Sequence, residues 1–198
     1  TTRLFIGPRN HKARAAATNP YIKLYDDDTH RAEFKITGSG ATTVTSDANG
    51  NINVSKFGTN VAGCGGFINI SQNTMNCIFC GTFTAGGLKT KVEDGKLVIV
   101  QEGKKKKFVS AVEQVTFSGE YARRKKMNVK FVTERAVIEL LEDGLTVTEI
   151  APGIDLQTQV LDQMEFTPLV SENLKTMDPR IFIDAPMGIK DEILAKAK

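Results

Sequence analysis

Three glycines in four consecutive positions, Gly63-Cys64-Gly65-Gly66, lie between two apolar stretches of the chain. Glycine at this density predicts positive φ angles or a close approach of the backbone to another group, because no Cβ restricts it there. Residues 67–75 predict a short helix that begins at this turn. Free amides at a helix start favour negative charge. We therefore treat residues 63–66 as a candidate anion-binding loop, with a plain tight turn as the alternative.

This loop matches neither of the common phosphate-binding patterns. It is not G-x-G-x-x-G, and G-K-[ST] is absent from the sequence. A dinucleotide fold or a P-loop therefore has no motif in its favour.

The three cysteines, an odd number in a chain of 198 residues, do not form a disulfide framework. Cys77 and Cys80 are spaced as C-x-x-C, but they belong to an apolar run that predicts a buried strand. There is no second C-x-x-C, and His11 and His30 are distant in sequence. We expect structural thiols in a reducing compartment and no metal site.

The net charge of +3 does not indicate a nucleic-acid partner, and no apolar run is long enough for a transmembrane helix. The first 25 residues, however, are basic and contain no acid before Asp26. Such a stretch predicts the remainder of an organelle-targeting segment or a basic arm that wraps a partner; a frayed terminus is the alternative. A mitochondrial matrix location is expected on the first interpretation and a cytoplasmic one otherwise. The basic residues are Arg3, Arg9, Lys12, Arg14 and Lys23.

From residue 51 the sequence is rich in strand patterns and poor in helix patterns, which predicts an α/β fold with a mixed sheet and few helices. Hairpins are expected around Asp94-Gly95 and Asp143-Gly144. Other expected elements are strands at 52–54, 76–80, 112–117 and 128–133, a helix at 155–164, irregular chain from Thr167, and helical turns at 191–198. Two basic runs, 104–107 and 123–126, are interpreted as connections. The first is either a solvated loop or a phosphate-binding patch.

Nine blocks in the same order resemble the C-terminal domain of the family I CoA-transferases, and most closely the propionate and acetate (acyl-CoA:carboxylate) CoA-transferases. The resemblance implies a fold of the NagB/RpiA/CoA-transferase-like type. It divides the chain into a diverged basic extension (1–47), a CoA-transferase-like domain (48–189) and a tail (190–198). The blocks are residues 49–58, 62–73, 79–88, 111–117, 133–137, 150–156, 161–166, 171–175 and 186–188.

In that family a glutamate carboxylate attacks the acyl-CoA thioester and becomes a glutamyl-CoA thioester, while backbone amides stabilise the oxyanion. The resemblance implies that Gly63, Gly65, Gly66 and Phe67 are the loop that contacts the CoA thioester, with the amides of Gly66 and Phe67 as donors. The nucleophile lies in a Glu-Ser-Gly or Glu-Asn-Gly turn, and neither occurs here. No catalytic residue and no cofactor are therefore predicted in this chain, and CoA would be held only if the pocket survives.

These features lead to two hypotheses. The first is a degenerate CoA-transferase-like subunit, a pseudoenzyme that serves as a structural or interaction component in an assembly with other protein chains. The alternative is one half of an active acyl-CoA:carboxylate CoA-transferase whose glutamate comes from another chain or segment. On its own the chain is expected to lack transferase activity on either hypothesis. Acyl-CoA binding without catalysis is expected if the loop is open to solvent.

Overall fold

In the computed structural model of the chain, the described residues are 3–6, 22–25, 31–34 and 44–196. The first three segments are backbone strands β1, β2 and β3, which form an antiparallel sheet in that order. The basic side chains of residues 1–25, and most of the extension assigned to 1–47, lie outside the described residues. The targeting segment, the location inferred from it and the boundary at 47/48 stay predictions.

Short strands predominate in the described part of the chain, and its helices contain at most seven residues. The strands are β1 Arg3–Ile6, β2 Ile22–Tyr25, β3 Arg31–Phe34, β4 Thr45–Ser46, β5 Ile52–Asn53, β6 Lys56–Phe57, β7 Asn60–Val61, β8 Asn76–Cys80, β9 Thr84–Ala85, β10 Lys89–Glu93, β11 Lys96–Gln101, β12 Lys105–Lys106, β13 Asn128–Val132, β14 Ala136–Leu141, β15 Gly144–Ile150 and β16 Leu169–Thr176. The helices are α1 Phe67–Gln72, α2 Gly119–Arg124, α3 Leu156–Gln159 and α4 Lys190–Lys196, with 3-10 turns at Leu161–Gln163 and Pro179–Phe182.

A five-stranded mixed sheet, in the order β16-β15-β14-β13-β8, organises the molecule. The pairs β8/β13 and β15/β16 are parallel, whereas β13/β14 and β14/β15 are antiparallel. Burial alternates along β8, β13 and β14, so that one face of the sheet is covered. Apolar alternation of this kind places one set of side chains in the core.

Aromatic rings fill the covered face of this sheet. The Phe79 ring centroid lies 5.4 Å from those of Phe117 and Phe131 and 6.0 Å from that of Phe67. Phe108 extends the cluster, 6.0 Å from Phe131. The core therefore joins α1, the sheet and the segments around Phe108 and Phe117.

Several predicted elements are confirmed. Helix α1 begins at Phe67, directly after the glycines, and β8 occupies the predicted 76–80. The β10/β11 hairpin turns at Asp94 and Gly95, whose φ angles are 49° and 72°, as a type I′ turn requires. The second predicted hairpin is formed by β14 and β15.

The strand predicted at 112–117 is wrong. The segment makes only an isolated antiparallel bridge between Ile52 and Phe117. Phe117 is buried because it packs on Phe79, whereas Val115 is 53% exposed. The apolar residues thus anchor a loop at separate points and do not line one face of a strand.

The irregular chain predicted from Thr167 is also wrong in part, because β16 pairs with β15 from Leu169 to Thr176. A parallel partner is distant in sequence, so the local pattern gives no sign of it. The helix predicted at 155–164 is divided into α3 and a 3-10 turn at the fully buried Val160. The second basic run is partly helical: α2 is capped by Ser118, whose Oγ accepts from the Tyr121 amide at 3.2 Å.

Candidate functional site

The glycine loop, residues 63–66, is an exposed turn between β7 and α1. Gly63 and Gly65 have φ angles of 75° and 49°. A Cβ added to either would meet no atom within 4 Å. Glycine is therefore required at these positions by the backbone angle and not by crowding, and the space above the turn is open.

Three of the loop's four amides are left free. The Phe67 amide donates to the Cys64 carbonyl at 3.0 Å, and the Gly63 amide donates to the Ser55 carbonyl at 3.1 Å. Those of Cys64, Gly65 and Gly66 donate to no acceptor among residues 44–196. The turn itself uses the Phe67 amide, and the choice of the Gly66 and Phe67 amides as donors to the thioester stays a prediction. Of those two amides, that of Gly66 is the unpaired one.

The turn is held from below by side chains that the sequence analysis did not single out. Buried Asn53 accepts from the amides of Ser55 and Lys56 at 3.0 and 3.1 Å through Oδ1. The hydroxyls of Thr116 and Ser55 lie 3.0 Å apart. An Asn two residues before a Ser is a local turn signal that could have indicated this support. The loop is exposed, but its base is rigid.

The lysine run, residues 104–107, follows β11 and divides into two pairs. The Lys106 ammonium donates to the carbonyls of Asp162 and Met164 at 2.8 and 3.1 Å. The Lys107 ammonium donates to the Thr82 carbonyl at 2.5 Å. Burial lowers the pKa of Lys107, and Glu134 opposes that effect. Lys104 and Lys105 are exposed. The prediction of a wholly solvated loop therefore applies only to the first two lysines.

A buried arginine lies beneath this region. Arg135 has no exposed side-chain surface, and its guanidinium pairs with Glu102 at 2.6 Å and with Glu134 at 2.7 Å. Burial raises the pKa of Glu102, but hydrogen bonds from Arg135, Thr84 and the Gly103 amide outweigh it and leave the pKa below its usual value. Glu134 in turn accepts from the Phe83 amide at 2.8 Å. The Glu102-Arg135-Glu134 network therefore holds the Phe83 amide and the Thr84 hydroxyl in place.

The cysteines lie in different surroundings. Cys77 is buried, and this raises the pKa of its thiol to about 12. Burial also raises the pKa of Cys80. All three thiols are free, so the prediction of structural thiols fits Cys77 in particular. Within the described segments no group of three or more potential metal ligands occurs.

A separate surface cavity of about 480 Å³ lies between the β10/β11 hairpin and the 3-10 turn at Pro179–Phe182. The glycine loop and the lysine run do not line it. None of the helices that the structure describes is long and apolar enough to cross a bilayer.

The chain is similar in sequence to known enzymes. The chain is 55% identical over 142 residues to the acetate CoA-transferase YdiF of Escherichia coli K12, a match that covers 72% of the chain and 27% of that enzyme. It is 49% identical over 155 residues to the caffeate CoA-transferase of Acetobacterium woodii, covering 76% of the chain and 29% of that enzyme. Over part of its length, the chain is homologous to the family I CoA-transferases. It spans little more than a quarter of the length of these relatives.

Solved structures agree with this family. The apoenzyme crystal structure of the YdiF acyl-CoA transferase from Escherichia coli O157:H7 superposes with a TM-score of 0.71 at 54% identity, over 73% of this chain and 28% of that one. The same enzyme has been crystallised as a thioester complex with CoA. The decarboxylase AibA/AibB matches in fold at 17% identity, with a TM-score of 0.51. The predicted CoA-transferase-like fold is thus confirmed. No family model matches the chain.

Proposed function

We propose that this CoA-transferase segment forms the thioester-binding part of an active acyl-CoA:carboxylate CoA-transferase, with the nucleophilic glutamate supplied by another segment or chain. The observation that carries the proposal is the glycine loop, which is exposed and presents the unpaired amides of Gly65 and Gly66. YdiF, a relative of this chain, has been crystallised as a thioester complex with CoA. The predicted site residues Gly63, Gly65, Gly66 and Phe67 share this turn, and the partly buried Phe67 packs against the core.

The chemistry assigns a specific task to these amides. A carboxylate oxygen bonds to the thioester carbonyl carbon, the carbonyl oxygen becomes anionic, and the C–S bond breaks to release CoA thiolate and leave an anhydride. The thiolate then attacks the glutamyl carbon, forms the glutamyl-CoA thioester and releases the acyl carboxylate. Amides directed at the oxyanion stabilise it, and loss of one such donor typically costs about 10²- to 10³-fold in kcat.

Gly66 permits a clean test, because its φ of −83° suits proline and alanine alike. Gly66→Pro removes the amide proton, whereas Gly66→Ala keeps it and adds a Cβ that meets only Ile70 Cδ1, at 3.6 Å. The assay uses the protein complex that purifies with the tagged chain. In this complex, the rate of CoA transfer from acetyl-CoA to a carboxylate acceptor should fall about 100-fold or more in the proline variant. The alanine variant should retain most of the rate. Equal rates in the two variants would contradict a role for this amide.

The source of the glutamate is tested in the same complex. After incubation with acetyl-CoA, mass spectrometry of peptides should find a glutamyl-CoA thioester in a Glu-Ser-Gly or Glu-Asn-Gly sequence. Neither sequence occurs in these 198 residues, so the peptide must come from another segment or chain. A thioester on a glutamate of these residues would overturn the proposal.

The second candidate is the degenerate subunit, a structural or interaction component without catalysis. The absence of both glutamate turns from the sequence favours it. A complex that binds CoA but shows neither transfer nor a trapped thioester would establish this candidate in place of the first.

A further inference from the structure

We infer that Lys104 and Lys105 bind the phosphate groups of CoA, at the edge of the sheet where the glycine loop would hold the thioester. The inference rests on the proposed function, since CoA is the ligand in both. From the sequence, the lysine run was either a solvated loop or a phosphate-binding patch. The inference assigns phosphate binding to two of its four side chains.

The first step is the position of the two features relative to the sheet. Strands β8 and β13 are parallel, and their carboxyl ends lie side by side, with the Gly81 amide donating to the Val132 carbonyl at 3.1 Å. Phe67, directly after the glycine loop, contacts Phe79 near this end of β8. In open α/β sheets, ligands bind outside the carboxyl ends of the strands.

The lysine run reaches the same edge through the chain that leaves β8. Strand β9, which follows β8 by three residues, pairs with β12, so that Lys105 lies opposite Ala85 and Lys106 opposite Thr84. Phe108, next after the run, contacts Phe83 at 4.9 Å and Phe131 at 6.0 Å. Phe79 and Phe131 thus lie between the two features. In CoA the phosphates and the thioester are likewise separate groups, because the pantetheine arm lies between them.

The second step is the state of the four ammonium groups. Those of Lys106 and Lys107 are occupied by backbone carbonyls, as described above. Lys104 and Lys105 are exposed, and neither ammonium has a hydrogen bond or an ion pair within the described part of the chain. The nearby Glu102 carboxylate is held by Arg135. Both positive charges are therefore exposed and unpaired among the described residues, which leaves them available to phosphate groups.

The third step is the rigidity of the backbone that carries them. The Lys104 amide donates to the Gly86 carbonyl at 3.3 Å. A Cβ on Gly103 would lie 2.6 Å from the Ala85 carbonyl oxygen, so the two segments are in direct contact. The Gly103 amide also donates to Glu102 at 3.0 Å. The Glu102-Arg135-Glu134 network thereby fixes the point from which both lysine side chains extend.

The other basic run provides a matched control. Residues 123–126 lie at the opposite edge of the sheet, where β8 and β13 begin. The Asn128 amide, at the start of β13, donates to the carbonyl of Met75, the residue before β8. Arg124 and Lys125 are exposed, and their charged groups lie 5.5 and 5.9 Å from the centroid of the Tyr121 ring. Replacing Arg124 and Lys125 removes the same amount of positive charge as replacing Lys104 and Lys105, but it leaves the carboxyl edge of the sheet unchanged.

The experiment measures the affinity of the purified complex for CoA, pantetheine and ATP by calorimetry at one salt concentration. The double variant Lys104→Gln/Lys105→Gln should weaken CoA binding about tenfold or more and leave pantetheine binding unchanged, because pantetheine has no phosphate. Arg124→Gln/Lys125→Gln should change neither affinity.

Four results would overturn the inference, and three of them concern CoA and pantetheine: unchanged CoA affinity in the lysine variant, an equal loss of affinity for CoA and pantetheine, or a wild-type complex that does not prefer CoA to pantetheine. ATP binding as tight as that of CoA would also overturn it, by making the lysines a general polyphosphate site. Failure of the proposed function appears elsewhere, as the absence of acyl transfer and of a trapped thioester. The transferase function and phosphate binding by Lys104 and Lys105 can therefore fail independently of each other.

Discussion

At the scale of single residues, Arg135 is the largest fully buried side chain in the described segments. Its charge is tolerated in the core because Glu102 and Glu134 both pair with it and the Gln159 carbonyl accepts from it at 2.9 Å. The Phe83 ring lies 5.1 Å from the guanidinium carbon. A buried charge with this many partners stabilises one arrangement of its neighbours, and removal of any one partner is costly.

Arg135→Met should destabilise the fold by about 3 kcal/mol, because it leaves two partly buried carboxylates unpaired. Lys130→Met breaks the more exposed Lys130-Glu139 pair, 3.0 Å apart, and serves as the control. This pair should contribute less than about 1 kcal/mol. Urea unfolding of both variants measures the difference. Equal losses would show that the Arg135 network has no special role.

Cys77 predicts a pH effect. Its pKa is about 12 in the folded state and near the ordinary 9.0 when unfolded, so the unfolded chain loses this proton first as the pH rises. The contribution of Cys77 is complete below pH 9 and is lost between pH 9 and 12. The loss has a slope of at most about 1.4 kcal/mol per pH unit. The free energy of unfolding of Cys77→Val should therefore fall less steeply over this range; parallel profiles would contradict the burial effect.

At the scale of elements, helix α2 docks on the turn between β4 and β5. The Gly119 amide donates to Asn51 Oδ1 at 3.1 Å, and Arg123 donates to the Asn49 carbonyl at 3.0 Å. Asp47 Oδ1 accepts from the amides of Asn49 and Asn51 and holds the turn in place. The helix start and the turn thus fit together through backbone groups, which leaves no room for a side chain at Gly119.

Gly119→Ala tests this contact, because a Cβ there would lie 2.0 Å from the Asn49 carbonyl oxygen. The backbone must shift, and a cost of about 1–3 kcal/mol is expected. Gly66→Ala, where the added Cβ has space, should lose less than about 1 kcal/mol. Thermal or urea unfolding compares the two. A larger loss at Gly66 would mean that the glycine loop, and not the α2 contact, is the constrained element.

At the scale of the whole molecule, Phe79 connects the candidate site to the core. Its ring contacts Phe67 of α1, Phe131 of β13 and Phe117 of the 109–118 segment. Because Phe67 directly follows the glycine loop, both the position of the loop and the stability of the core depend on Phe79. The lysine run is tied to this core through Phe108, so both halves of the proposed CoA site share one support.

Phe79→Ala should cost about 3–5 kcal/mol, because it removes a buried ring at the centre of the cluster. Where the variant remains folded, its affinity for CoA should also fall, because Phe67 loses its packing contact with the Phe79 ring. Val61→Ala, at a side chain that is 70% exposed beside the loop, should change stability by less than about 0.5 kcal/mol. Chemical denaturation and CoA titration test both expectations. Intact CoA affinity in a destabilised Phe79 variant would separate the loop from the core.

Local sequence signals were sufficient wherever a short segment specifies its own geometry. Asp94-Gly95 predicts its hairpin because both residues adopt positive φ, and the glycines at 63–66 predict an exposed turn before α1. The resemblance to CoA-transferases was likewise carried by ordered blocks of residues and is confirmed by the relatives. The sequence did not indicate that the Phe67 amide donates to the Cys64 carbonyl, because that contact depends on how tightly the turn closes.

The sequence by itself therefore determined the family, the main hairpins, helix α1 and the identity of the glycine loop, because turn chemistry and residue order act over a few positions. Only the tertiary structure decided that β16 joins the sheet, that Lys106 and Lys107 are donors inside the protein while Lys104 and Lys105 remain free, and that Arg135 is buried between two carboxylates. Apart from Glu134, which adjoins Arg135, the partners in these contacts lie 20 or more residues away, and a local pattern does not encode them.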